Sequence, residues 1–234
     1  VKLLFSLYPV LPRRATAERF AFPREMRYTD AKSRDKKRGH SAMKKIVCIG
    51  DSNTWGYDPR GYGGGRYPAE VRWTALLDHF PEWWIVNLGE NGREIPHSAF
   101  ALRILGQQLA ALGPFDGICV MLGANDLLCG ASPAAAAARM EDLLDRLDAY
   151  GVPLLLIAPP QFCHGTLVAD ERLIHASARL TGLYRALAQD RGLAFADAGK
   201  WDIPLAYDDV HFTEEGHAKF AERAQEAFIQ AFGT

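Results

Sequence analysis

One serine, one asparagine, one glycine and an aspartate–histidine pair stand at the ends of separate apolar runs in this chain. Ser52 lies in IVCIGDSNTWG (46–56), Gly92 in NLGENGRE (87–94), Asn125 in MLGANDL (121–127), and Asp208, Asp209 and His211 in DDVHF (208–212). Together they are the residue types that acyl transfer needs. A serine hydroxyl is a poor nucleophile until a base takes its proton, and neutral imidazole can do so near pH 7. The imidazole needs its second nitrogen held, and a carboxylate three residues earlier in a turn can reach it. The negative oxygen that then develops needs preorganised donors. The backbone N–H groups of Ser52 and Gly92 and the side-chain amide of Asn125 form a natural set.

Each residue alone has a plainer use. A serine after a strand caps the next helix, and an asparagine serves a turn. Of the other histidines, His79, His175 and His217 fall in helical segments and His40 in a charged leader, while His97 and His164 are loop residues near the candidate pocket. Trp55 and Tyr57 follow the serine closely, and Ile95, Phe162 and Phe212 flank the other polar segments. With Asn53 they suggest a small, aromatic-lined acyl pocket; the competing reading is that the aromatics only fill core. GYGGGR (61–66) follows no strand and lacks the lysine of a phosphate loop, so it reads as a flexible loop beside the site. No metal-ligand spacing is present and the chemistry requires neither metal nor cofactor.

The elements that must position these groups alternate. Apolar runs of strand length occur at 45–50, 84–88, 117–122, 153–158 and 193–197, without the polar alternation of a half-exposed strand. Helix-period segments lie between and after them, at 69–80, 97–112, 133–150, 171–191 and 214–231. Ser132–Pro133 is a helix start, and Gly151 and Gly192 are helix stops. Five β-α repeats predict a three-layer α/β/α sandwich on a five-stranded parallel sheet, in one domain over 43–234. Ligands of such sheets bind beyond the carboxyl ends of the strands, where all the polar segments fall.

Bulk composition narrows the class. The 234 residues are 48% hydrophobic and 24% charged, and no run approaches a membrane span. Residues 1–42 carry 11 Lys/Arg against 4 Asp/Glu, leaving 16 against 24 for the rest, so the acidic body argues against nucleic acid as a partner. Pro9, Pro12, Arg13 and Arg14 disfavour a signal peptide, and 1–42 reads as a basic, disordered extension before a natural start at Met43. The four cysteines lack C-x-x-C spacing, and Cys48 and Cys119, within apolar runs, read as buried free thiols, which fits a reducing, cytoplasmic setting, with export as the competing reading.

In order, GDSNTWG, ENGRE, GAND and DDVHF resemble the four sequence blocks of the SGNH/GDSL hydrolase superfamily, across about residues 44–231. GDSNTWG, VRWTALL (71–77) and MLGANDL resemble its arylesterase/acyltransferase branch in particular. The resemblance implies a flavodoxin-like sheet, Ser52 as nucleophile, His211 as base, and Ser52, Gly92 and Asn125 around the oxyanion. Its D-x-x-H spacing selects Asp208 over Asp209. It implies an acyl ester as substrate, cleaved with or without transfer to an alcohol, and no cofactor; the small aromatic-lined pocket favours a short acyl group. Sugar deacetylation and lysophospholipid or thioester cleavage are alternatives within the family. Asp51 is expected to support its loop and Asp126 to brace backbone. Asn53 replaces the leucine of many relatives and is expected to alter the pocket floor only. A homo-oligomer using the 57–68 loop follows by analogy. Outside catalysis, two alternatives stay open: a silent carbohydrate- or nucleotide-binding module, or a flavodoxin-like binder of phosphate or flavin. A chain starting at Met43 is expected to match the full chain in activity and melting temperature; an insoluble or inactive product would make residues 1–42 part of the structure.

Overall fold

Apolar runs without alternation become interior strands because both of their faces are covered. The computed structural model describes residues 43–61, 65–165, 168 and 170–233. The proposed extension and the centre of the 61–66 loop lie outside them. Strands β1 (Lys44–Gly50), β2 (Trp83–Gly89), β3 (Gly117–Met121), β4 (Leu154–Ala158) and β5 (Ala194–Asp197) form one parallel sheet in the order β2-β1-β3-β4-β5. This is the flavodoxin-like order. β3 and β4 are buried throughout, whereas the edge strands β2 and β5 are partly open.

Successive residues of a strand point to opposite faces, and each face has its own core. Val47, Ile49, Ile118, Val120 and Leu156 meet α3 (Ala99–Leu112), α5 (Pro133–Asp148) and α6 (Glu171–Arg191) through Leu105, Leu109, Met140, Leu143 and Leu180. Ile46, Cys48, Cys119, Met121 and Ile157 meet α2 (Trp73–Leu77) and α7 (Glu214–Phe232) through Trp73, Leu77, Phe220 and Phe228. The long helices begin where side-chain oxygens can take their free N–H groups: Ser98, Ser132, Asp170 and Thr213 each accept from the first turn. All four cysteines are free. Among the described residues no helix is long and apolar enough to cross a membrane.

Four short elements depart from the sequence-based expectation. The helix predicted over 69–80 is divided into a 3-10 turn, Ala69–Val71, and α2, because Arg72 is extended and donates from Nε to the Tyr67 carbonyl at 2.8 Å. Single-turn helices α1 (Ser52–Trp55) and α4 (Ala124–Leu128) follow β1 and β3. Four or five residues are too few to show a helical period, so the sequence reads them only as polar turns.

The division at Arg72 is tied to His217 on α7. His217 is wholly buried, its Nδ1 accepts from the Trp73 N–H at 3.4 Å, and its ring meets Tyr67 and Phe212 edge-on. Burial, helped by the charge of Arg72, lowers its pKa from 6.5 to about 4. Between those values the unfolded chain binds more protons than the native one, so this group's contribution to stability is complete above pH 6.5 and is lost as pH falls towards 4. Asp51, whose pKa is raised to about 6, acts in the opposite sense over a similar range. Wild type therefore hides the histidine's effect, and comparison with His217→Gln reveals it. In denaturant titrations the variant is less stable at pH 7, and the gap narrows by about 2 kcal/mol on going to pH 4.5. A gap independent of pH would mean that the native imidazole titrates normally.

Candidate active site

The site forms at the carboxyl ends of β1, β2 and β3, where the chain leaves β1 first for one side of the sheet and then for the other. At the end of β1, Asp51 caps α1, its carboxylate accepting from the Asn53 N–H at 3.0 Å. Gly56, at φ 92°, closes the turn by donating to the Ser52 carbonyl. Ser52 is thus the first residue of a helix only one turn long. Gly89 of β2 packs directly on that turn: a Cβ there would lie 2.2 Å from the Trp55 nitrogen, so only glycine allows this approach. Burial of Asp51 raises its carboxyl from 3.8 to about 6, against the pull of the Asn53 N–H and the nearby charges of His211 and Arg93.

His211 comes from the loop between β5 and α7. Its Nε2 lies 2.9 Å from Ser52 Oγ, and its Nδ1 lies 2.7 Å from Asp208 Oδ2. With the Nδ1 proton held by the carboxylate, Nε2 is left to accept from the serine. Asp208 Oδ1 accepts the N–H groups of Val210 and His211 at 3.1 and 3.0 Å. Burial raises the Asp208 pKa, but these two N–H bonds and the imidazole outweigh it and hold the carboxyl below 3.8. Asp209, with φ at 58°, turns the other way, and its carboxylate packs against Gly165. His211 therefore bonds to the first of the two aspartates.

The candidate donors lie in the segments that follow β2 and β3 and at Ser52 itself. Gly92 adopts φ 70°, a conformation that favours glycine, and its N–H and that of Ser52 find no acceptor among the described residues. Asn125 Nδ2 donates to the Arg93 carbonyl at 3.1 Å, which orients the amide and leaves its second N–H available. Asp126, fully buried, accepts from the Ile95 N–H at 2.9 Å and from Arg139 at 2.7 Å. Burial raises its pKa, with the Ile95 N–H and Arg139 opposing.

Two arginines that the sequence did not single out complete the frame. The Arg93 side chain donates to the Gly50 and Leu88 carbonyls and pairs with Glu90, joining the ends of β1 and β2 to the Gly92 turn. Arg139 of α5 joins Asp126 to Glu94. Arg93 stands inside ENGRE and could have been noticed there. Arg139 has no local signal, since only the packing of α5 brings it to the site.

The candidate pocket residues divide. Trp55 and Tyr57 are partly exposed, with the Tyr57 ring 4.5 Å from the His211 ring and the Arg66 guanidinium 4.6 Å from the Trp55 ring. Ile95 and Phe212 are fully buried core residues, because the segments that carry the polar groups are anchored through them. Phe162 lines a cavity of only about 10 Å³ with Pro159, Pro160 and Leu180, too small for an acyl group. Asn53 is no pocket floor either. Its amide is buried and bonded to backbone: Nδ2 donates to the Val210 carbonyl at 2.9 Å, and Oδ1 accepts the Phe212 N–H at 3.0 Å. His97 and His164 are exposed, and neither bonds to Ser52, Asp208 or His211. Among the described residues no group of three or more His, Cys, Asp or Glu side chains could hold a metal ion.

An imidazole already bonded to the serine, at the mouth of a flavodoxin-like sheet, is the arrangement expected of hydrolases that act on acyl groups. Residues 48–219 match the GDSL-like lipase/acylhydrolase family, and the chain belongs to that family and is a carboxylic ester hydrolase. Its fold is similar to that of a carbohydrate acetylesterase family member from Sinorhizobium meliloti, at 26% identity and a TM-score of 0.72 over 82% of this chain and 100% of that one. A protein of Agrobacterium tumefaciens str. C58 to which arylesterase activity has been ascribed is 31% identical, with a TM-score of 0.70 over 80% of this chain and 99% of that one. The aryl esterase of M. smegmatis is 25% identical, with a TM-score of 0.69 over 79% of this chain and 99% of that one. No curated protein matches the chain by sequence.

Asn125→Ala is expected to fold normally and to slow ester hydrolysis by roughly 10²–10³-fold in kcat, the usual cost of one oxyanion donor. Unchanged turnover in folded protein would remove Asn125 from that role.

Proposed function

We propose that the protein is a serine esterase for short acyl esters that works through an acyl-enzyme. The observation that carries this reading is the continuous chain from Ser52 Oγ through the His211 ring to Asp208. Nε2 takes the serine proton as Oγ bonds to the acyl carbon, and the imidazolium formed is stabilised by the Asp208 carboxylate. The carbonyl oxygen, now negative, faces the N–H groups of Ser52 and Gly92 and the amide of Asn125. Collapse expels the alcohol, which takes the proton from Nε2. Water, or a second alcohol, then enters by the reverse path, giving hydrolysis or acyl transfer.

Two observations support a short acyl group. Ser52 is only 6% exposed, and Tyr57 covers part of the imidazole, so the approach to the nucleophile is narrow. The similarity to a carbohydrate acetylesterase family member and to aryl esterases points the same way, and the former favours acetylated sugars as a second substrate class.

Hydrolysis of p-nitrophenyl esters of graded chain length, by wild type beside Ser52→Ala, tests the proposal. Wild type is expected to prefer acetate or butyrate over long chains, and the variant to lose roughly 10⁴-fold or more with its fold intact. Equal rates in the two proteins would overturn the role of Ser52. Preference for long chains would overturn the small pocket, and turnover of acetylated sugars alone would select the second substrate class.

A further inference from the structure

The loop that carries His211 is built largely from bonds to itself. Ala206 donates to the His211 carbonyl at 2.7 Å, Asp209 donates to the Ala206 carbonyl at 2.9 Å, and Asp208 takes the N–H groups of Val210 and His211. These bonds fix the shape of the loop but not its distance from Ser52, which belongs to another part of the chain. Beside the Tyr207 bond to the Pro59 carbonyl, two bonds from the residue next to the serine tie the segment to α1. The Asn53 side chain donates to the carbonyl of Val210, just before His211, and accepts from the N–H of Phe212, just after it. A carboxamide has the same donor and acceptor as a peptide unit, so Asn53 pairs with the histidine segment as a neighbouring strand would. Its backbone is fixed in turn by the Asp51 carboxylate at N and by Trp73 Nε1 at O, 3.2 Å away.

We infer that Asn53 is a positioning residue for catalysis, holding His211 at hydrogen-bond distance from Ser52. The inference builds on the proposed esterase reaction. No other residue type fits the two bonds equally well. Leucine leaves both the Val210 carbonyl and the Phe212 N–H unpaired in the interior. Aspartate keeps the shape and can still accept from Phe212, but sets a negative oxygen against the Val210 carbonyl. Both bonds are to main chain, so they do not depend on polar groups in the side chains at 210 and 212, which are buried in the core.

The test compares wild type, Asn53→Asp, Asn53→Leu, His211→Ala and the Asn53→Leu/His211→Ala double variant, each checked by thermal melting. Two readouts are used: ester turnover, and stoichiometric labelling of Ser52 by a p-nitrophenyl alkylphosphonate followed by p-nitrophenolate release. Labelling forms the Oγ–P bond and expels the phenolate, and needs only the serine and its base. In the His211-containing proteins, Asn53→Asp and Asn53→Leu are expected to lower kcat and the labelling rate by roughly 10- to 100-fold, with KM within about threefold. On the His211→Ala background Asn53→Leu is expected to change neither rate by more than about twofold, because there is no base left to position. Labelling within threefold of wild type in a folded Asn53 variant would overturn the inference. So would an equal loss with and without His211, which is the mark of a general structural defect. Wild type that is labelled but turns over no ester would sink the proposed esterase reaction while leaving the Asn53 comparison decisive. Wild type that is not labelled would overturn both.

Discussion

The hydrogen bond between Ser52 and His211 joins residues 159 positions apart in the sequence, and much of the site is arranged around that one distance. A base that drifts by an ångström loses most of its advantage. Neither partner sits within a strand or a long helix. Ser52 occupies a single turn of helix after β1, and His211 a loop before α7. The protein answers this by fastening loops to one another rather than by extending the sheet. Asn53 pairs with the histidine segment, Arg93 ties the ends of β1 and β2 to the glycine turn, and Asp126 holds the Ile95 backbone under the control of Arg139. Tyr207 adds a bond from the histidine loop to the Pro59 carbonyl.

These fastenings are polar and largely buried, and their electrostatics differ from group to group. Asp208 receives enough hydrogen bonds to hold its pKa down despite burial, which suits its proposed part in stabilising an imidazolium. Asp51 and Asp126 receive fewer, and burial raises both. The carboxylate bonded to the base is thus the easiest of the three to ionise, while the two that serve the backbone carry a desolvation cost. His217 shows the same economy from the other side: a neutral buried imidazole that takes the Trp73 N–H, and for which protonation is unfavourable.

The strands and the long helices were legible in the sequence because each obeys a local rule. Continuous apolar runs mark interior strands, apolar residues at helical spacing mark helices, and Ser132–Pro133 marks one of their starts. The sandwich and its parallel sheet follow from their alternation. The same reading fails at 69–80, where Arg72 is drawn out of the helix by the Tyr67 carbonyl and Trp73 is met by His217, and at α1 and α4, which are too short to carry a period.

Residue types and their order were also enough to nominate Ser52, Gly92, Asn125, Asp208 and His211, because the chemistry admits few alternatives and the blocks occur in family order. The surroundings were not legible in this way. Ile95, Phe162 and Phe212 look like pocket residues by their nearness to the polar segments, yet they face the interior. Asn53 looks like a substituted pocket residue, yet its amide serves backbone more than 150 positions away. Arg139 gives no sign at all until α5 packs beside α4. Local sequence determines the form of each element and the chemical identity of the reactive groups, since both depend on neighbours within a few residues. The direction of a side chain, and the partner it meets, depend on contacts between distant segments, and only the tertiary structure decides those.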